Sequence, residues 1–97
     1  MIGSISGKVN YKGLNFIILE VNDVGYKVFT IPVFLTTAKL DQDLKLFTLT
    51  YVREDQITLY GFSTMEELQF FELLLTVSGV GPKSAIGIMS LADINML

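Results

Sequence analysis

The chain has 97 residues, of which 51% are hydrophobic, and is long enough for one small domain. Its net charge of −3 argues against a free-standing nucleic-acid binder, because such proteins are usually basic. The absence of cysteine and histidine excludes disulfides, thiolate metal sites and zinc or serine–histidine hydrolysis. The sequence has no run of about 18 uncharged apolar residues and no charged start followed by an apolar segment, so we expect a cytoplasmic protein without a membrane-spanning helix or a secretory signal.

The first two thirds of the chain have the pattern of short strands joined by turns. Apolar or alternating stretches predict five strands at residues 2–9, 14–21, 26–31, 44–53 and 57–62. The stretches "NYKG" and "NDVG" predict turns between the first three strands, and a longer crossing with one helical turn follows the third. Five short strands with one long crossing predict a small closed barrel of the oligonucleotide-binding (OB) type, although the pattern also fits an SH3-like barrel.

From residue 63 the hydrophobic period becomes helical. The stretch "STMEE" (63–67) offers two overlapping capping boxes, and the apolar residues after it recur at helical spacing. This helix must end near Ser78, because two glycines and a proline follow. A second helix is predicted at residues 82–91, with Pro82 in its first turn. The stretch "SLAD" is a further capping pattern and predicts a third helix from about Ala92.

The corner between the two helices, "SGVGPKSA" (78–85), is poor in side chains. We expect Gly79 and Gly81 to adopt backbone angles closed to other residues, which leaves the amides of residues 79–84 exposed at a helix N-terminus. Such amides attract phosphate, and Lys83 adds a cation beside them. The pattern predicts a helix-hairpin-helix contact with the DNA backbone, although a tight corner without a ligand explains the glycines as well. The predicted backbone-binding residues are Ser78, Gly79, Val80, Gly81, Lys83 and Ser84.

Four stretches of the chain together resemble a known family. They are the start "MIG", "DVGYKV" (23–28), "VREDQITLYGF" (52–62) and "SGVGPKSAIGIMS" (78–90). In this order they resemble the N-terminal part of the RuvA family of bacterial Holliday-junction-binding proteins, over essentially all 97 residues. The resemblance implies an all-β OB barrel at residues 1–62. It also implies that residues 63–97 hold the first helix-hairpin-helix motif and the start of the next helix, an incomplete second domain, which makes the chain α+β overall.

The resemblance also implies partners. Members of the RuvA family assemble as tetramers or paired tetramers (octamers) on an open four-way DNA junction, and the RuvC resolvase joins the wider complex. Their C-terminal domain, which is absent from this chain, engages the hexameric RuvB ATPase motor. We therefore expect a non-catalytic subunit without a cofactor. In agreement, the sequence has no P-loop for ATP.

An acidic pair interrupts the last two predicted strands. In the RuvA family an acidic pin lies near the centre of the tetramer, and the matching residues here are Glu54 and Asp55. Carboxylates from several subunits would repel phosphates at that centre. Arg53, next to the pair, is a possible contact to the backbone at the crossover. Without the resemblance, an ordinary charged hairpin tip explains these residues.

Two other functions fit parts of the sequence. A helix-hairpin-helix DNA glycosylase would use Lys83 as its nucleophile together with an aspartate well beyond the corner, but only Asp93 follows and it comes early. An OB-type protein-interaction module without a role on DNA fits the acidic charge.

We assign no base stacking to Tyr51 and Tyr60, because their strands are dense with other aromatic residues and packing explains them.

Overall fold

The computed structural model describes the backbone of residues 1–96 and the side chains of residues 1–91, so the interpretation of Asp93 lies outside it. The strands and helices follow one another along the chain as β1 Ser4–Lys12, β2 Phe16–Val21, β3 Val24–Phe29, α1 Pro32–Thr37, β4 Asp43–Val52, β5 Ile57–Phe62, α2 Met65–Leu75 and α3 Pro82–Met96. None of the helices in this described part is long and apolar enough to cross a membrane.

The five strands form a closed barrel in the order β1-β2-β3-β5-β4. Neighbouring strands are antiparallel except β3 and β5, which pair in parallel at Val28 with Leu59 and at Phe29 with Tyr60. This parallel pair requires a crossing, which α1 and β4 supply. The predicted barrel of the OB type is confirmed, with helices after it.

The first two turns differ from the prediction. Strand β1 continues to Lys12 through the stretch predicted as a turn, with a shift of register between Val9 and Tyr11. Such a bulge bends a strand and increases its twist, as a small barrel requires. The turn between β2 and β3 is confined to Asn22 and Asp23, whose φ angles are 50° and 67°. Asparagine and aspartate tolerate this left-handed region. A two-residue turn with two positive φ angles has a backbone twist that matches the twist of the two strands it joins.

The inside of the barrel is filled by aliphatic side chains that alternate along the strands. Leu35 of α1 and Ala38, the residue directly after α1, also belong to this core. The fully buried members of this core are Val9, Ile17, Leu19, Val28 and Leu46. The interior is therefore packed by side chains and leaves no channel, as expected for a barrel of this size.

Helix α2 packs on the outside of the barrel against β4 and β5, and α3 packs against α2 and α1. A second hydrophobic cluster joins them to the barrel, and at its centre Phe71 is fully buried. The ring centroid of Phe71 lies 4.9 Å from that of Phe62 and 5.3 Å from that of Tyr60. Ala85 and Met89 of α3 are buried in the same cluster. The helical corner is thus held in a defined position relative to the strands.

The ends of the helices follow the predicted capping at one place and depart from it at another. Of the two predicted capping boxes, Thr64 with Glu67 forms in half: the Thr64 hydroxyl accepts a hydrogen bond of 3.1 Å from the Glu67 amide. The Glu67 carboxylate instead accepts from the Ser63 hydroxyl at 2.9 Å. The predicted helix start near Ala92 is wrong, because α3 runs without a break to Met96. The Ser90 hydroxyl donates to the carbonyl of Ile86 at 2.9 Å. This bond to the residue four positions earlier satisfies the serine within a helix, so it does not cap a new one.

Candidate nucleic-acid interface

The corner between α2 and α3, residues 76–81, is a compact turn. The amide of Val77 donates to Leu74 and the amide of Val80 donates to Val77, each at 3.1 Å. Gly79 has a φ of 84°, in the left-handed region, as predicted. Ser78 and Gly79 are exposed to solvent. We call residues 76–84, the corner with the first turn of α3, the hairpin.

Most of the predicted backbone donors of the hairpin are free. Within the described residues, the amides of Gly79, Gly81, Lys83 and Ser84 donate to no protein acceptor. The amide of Val80 is occupied, so the expectation that it is available is wrong. At the start of α3 the free amides are the ordinary unsatisfied donors of a helix N-terminus, and they carry its partial positive charge. The hairpin therefore offers several donors, and its sequence contains no competing carboxylate.

Gly81 differs from the prediction in its backbone. Its φ is not in the left-handed region, so no backbone strain requires a glycine here. A Cβ atom at this position would meet no other atom within 4 Å. Packing does not require a glycine either.

The turn between β4 and β5, residues 52–57, carries the acidic pair. The amide of Arg53 donates to the carbonyl of Gln56 at 2.9 Å, which closes the turn around Glu54 and Asp55. Both acidic residues are exposed to solvent. We call residues 52–57 the acidic tip.

A groove of about 350 Å³ lies between the acidic tip and the hairpin. It brings together four of the predicted site residues, since Arg53 lines it from one side and Gly81, Lys83 and Ser84 from the other. Glu54 and Asp55 are not among its lining residues. The Arg53 guanidinium lies 5.9 Å from the centre of the Tyr51 ring, which also lines the groove. We call this space the hairpin groove, and its charged side chains are cations.

The sequence reasoning missed an aromatic strip on the outer face of the barrel. Its rings follow one another across the five strands at centroid distances of 5.8–6.3 Å. The Lys27 ammonium stands 4.4 Å from the centre of the Phe16 ring and adds a cation–π contact. Pairing of Phe16 with Phe29 and of Phe29 with Tyr60 would reveal this strip, but only after the strand order is known. The members of the strip are Tyr11, Phe16, Phe29, Tyr60 and Tyr51.

Tyr60 connects this strip with the helices. Its ring contacts Phe71 in the second hydrophobic cluster, which confirms packing as its role on that side. Burial raises the pKa of Tyr60 above its ordinary value of 10.0; the neighbouring Tyr51 adds to the effect and Arg53 opposes it. The phenol is therefore neutral at physiological pH and can donate a hydrogen bond.

Comparison with known proteins identifies the barrel. A family model described as the RuvA N terminal domain matches residues 1–61. The chain belongs to the RuvA N-terminal domain family. Curated relatives named "Holliday junction branch migration complex subunit RuvA" are 48% identical over 91 residues in Acetivibrio thermocellus and 50% identical over 90 residues in Halothermothrix orenii. A third, from Geotalea daltonii, is 50% identical over 93 residues.

These RuvA relatives are longer than the chain. Each match covers 93% of this chain but 45% or 46% of the relative, so the chain spans about half their length. Because only a few residues at the ends are left unmatched, both the hairpin and the acidic tip lie inside the matched part. The similarity to RuvA proteins therefore includes the acidic tip within the barrel and extends beyond the barrel to the hairpin.

Proposed function

We propose that this chain is a non-catalytic DNA-binding part of a branch-migration complex and that it holds the sugar-phosphate backbone of a four-way junction. The observation that carries the proposal is the group of free amides at Gly81, Lys83 and Ser84, which border one groove with the Arg53 guanidinium. Backbone amides at a helix N-terminus bind phosphate without reading bases. The names of the relatives support a junction as the DNA substrate.

The acidic tip provides discrimination between DNA shapes in this proposal. Glu54 and Asp55 are both exposed, so their charge acts on whatever approaches the tip. Phosphates near such a pair are repelled. In a tetramer around a junction, four tips would meet near the crossover and disfavour a continuous duplex through the centre. Arg53 would hold the backbone at the edge of that repulsive centre.

The partners of the chain follow from the same proposal. We infer that residues 1–62 serve as the barrel of a cytoplasmic homotetramer or octamer and that residues 63–97 begin its DNA-binding domain. The RuvB ATPase would supply the energy for branch migration. The RuvC resolvase would act on the same junction.

Gly81→Ala tests the hairpin with little risk to the fold. The φ of Gly81 suits alanine and the added methyl group meets open space, so the melting temperature should stay nearly unchanged. The methyl group would nevertheless stand between the backbone and a phosphate, and we expect affinity for a four-way junction to fall about tenfold, as for loss of a charge-assisted hydrogen bond. A gel shift with a junction and a matched linear duplex measures this.

Gly87→Ala is the matched control. Gly87 is exposed on α3 and also leaves space for a Cβ atom, but it lies outside the hairpin. This variant should bind DNA as the parent chain does. Equal affinity of both variants and the parent would contradict the proposal. Binding that does not weaken as salt is added would instead favour a protein-interaction module, because phosphate contacts release counterions.

A further inference from the structure

A second, larger groove opens from the hairpin groove along the outside of the barrel. Its volume is about 550 Å³, within the range of small-molecule sites. The two grooves share Gln56, Thr58, Tyr60 and Lys83, so they form one continuous depression. We call the second one the barrel groove. One end of the depression borders the hairpin, and the barrel groove extends to Asn15 and Thr30 at the ends of β2 and β3.

Thr30 gives the barrel groove a polar group that the fold does not use. The residue is only 1% exposed, and its hydroxyl has no hydrogen-bond partner in the described residues. A buried hydroxyl without a partner destabilises the fold, because it has lost its bonds to water. The backbone amide of Thr30 does have a partner, because it donates to the carbonyl of Asn15 at 3.2 Å. Valine would fill the same space without that cost, so the hydroxyl indicates a ligand that completes the bond.

The other lining residues combine aromatic walls with amide side chains. Phe29 and Tyr60 are partly exposed rings with centroids 5.9 Å apart, and both line the groove. Asn15 is exposed at the edge of the groove. The side-chain amide of Gln56 donates to the Thr58 hydroxyl at 3.1 Å, which leaves its second N–H and its oxygen for other partners. Aromatic rings beside amide donors and acceptors are the groups with which proteins bind an unstacked base.

We propose that the barrel groove binds one unpaired nucleotide of the strand whose backbone is held at the hairpin. This inference rests on the proposed function. The Lys83 ammonium, shared by both grooves, would lie near the phosphate. The base would lie against the groove side of the adjoining Phe29 and Tyr60 rings, with its edge towards Asn15, Gln56 and Thr30. A peptide without acidic side chains would leave Lys83 and the free amides of the hairpin without an anion. A paired base would be kept out by its partner.

Thr30→Val tests this inference without disturbing the shape of the groove. Two four-way junctions with the same arms are compared, one fully paired and one with a single unpaired nucleotide at the crossover. The parent chain should bind the second junction about three- to tenfold more tightly, as one or two net hydrogen bonds provide. Thr30→Val should bind both junctions with the same affinity, and it should be as stable as the parent chain or more so.

Asn15→Ala is a second variant on the exposed side of the groove, and Asn10→Ala on β1 is its matched control. Asn15→Ala should reduce the preference for the unpaired nucleotide, and Asn10→Ala should retain it. A 2-aminopurine at the unpaired position should change its fluorescence on binding to the parent chain and much less with Thr30→Val. This readout follows the base itself, so a general loss of affinity does not imitate it.

Three results would overturn the inference, and they differ from one another. Equal affinity of the parent chain for the two junctions would overturn it alone and leave the proposed function intact. A change of oligomeric state in Asn15→Ala, seen by light scattering with DNA affinity unchanged, would show that the groove is covered by another copy of the chain. Absence of binding to either junction would overturn the proposed function and this inference together.

Discussion

The hairpin and the acidic tip are two exposed turns of similar size with opposite chemistry. The hairpin has free main-chain donors at Gly79, Gly81 and the start of α3, and its one charged side chain is Lys83. The acidic tip closes with a backbone hydrogen bond from Arg53 to Gln56 and carries two exposed carboxylates. One turn is suited to attract a phosphate and the other to repel it.

This difference makes the proposed DNA binding compatible with a net charge of −3. The sign of the total charge describes the average surface, whereas a phosphate is bound by a few donors within a short distance. The hairpin groove collects Arg53, Lys83 and the free amides in one place, and the acidic residues at the tip lie outside its lining. What matters is therefore the relative position of the two turns, which the packing of α2 and α3 on the barrel determines.

The largest expected effect comes from breaking that packing. Phe71→Ala would remove a fully buried ring between Phe62 and Tyr60 and leave a cavity. We expect a loss of about 3–5 kcal/mol in the free energy of unfolding and, with it, loss of junction binding. Urea denaturation followed by circular dichroism measures the change. Leu73→Ala is the control on the same helix. Because Leu73 is 63% exposed, this variant should lose much less free energy of unfolding than Phe71→Ala. Equal losses in both variants would mean that the helices do not depend on this cluster.

A smaller effect is expected from straining the hairpin alone. Gly79→Val would place a β-branched side chain at a φ of 84°, which costs about 1–3 kcal/mol. The corner should distort to avoid this strain, and junction affinity should fall further than in Gly81→Ala, whose backbone is unstrained. Thermal unfolding and gel shifts of the two variants separate strain from blocked contact. If Gly79→Val bound the junction normally, the geometry of the corner would not matter for DNA.

Local features of the fold were predictable because they depend on residues close together in sequence. The range of β5, the Thr64 cap of α2 and the left-handed Gly79 all follow from near neighbours. The predicted break near Ala92 failed for a local reason too. A capping pattern and the middle of a helix look alike when a serine can bond back to the previous turn, as Ser90 does.

The candidate site was only partly predictable, because its parts come from distant segments. The glycine-rich corner and the acidic pair could each be identified, but the meeting of their two turns across one groove depends on how α2 and α3 pack on the barrel. The aromatic strip depends on the parallel pairing of β3 with β5, which alternation along a strand does not reveal. The unpartnered Thr30 hydroxyl becomes visible only when every neighbour has been placed.

Removing the repulsion at the acidic tip should have a moderate effect on selectivity. Glu54→Gln with Asp55→Asn keeps the size of both side chains and neutralises two of the ten acidic residues. Since both are exposed, the fold should be unaffected. Affinity for a linear duplex should rise about fivefold, equivalent to about 1 kcal/mol for charges that meet in water, and affinity for the junction should stay equal or rise less. Selectivity, the ratio of the two affinities, would therefore fall.

The control for net charge is Glu66→Gln with Glu72→Gln on the exposed side of α2. An equal rise in duplex affinity in this control would show that position at the tip is unimportant.

The smallest effect on junction affinity is expected from Lys83→Ala. This variant separates the contribution of the side-chain charge of the hairpin from that of its main-chain donors. Lys83→Ala removes the cation and leaves the free amides in place, so junction binding should weaken only modestly. The diagnostic quantity is the slope of log K against log salt concentration, which should become shallower by about 0.9 for one lost phosphate contact. Lys39→Ala, in the exposed segment after α1, should leave the slope unchanged. A slope that stays the same in Lys83→Ala would assign phosphate binding to the amides alone, and Lys83 would then have no part in holding the backbone.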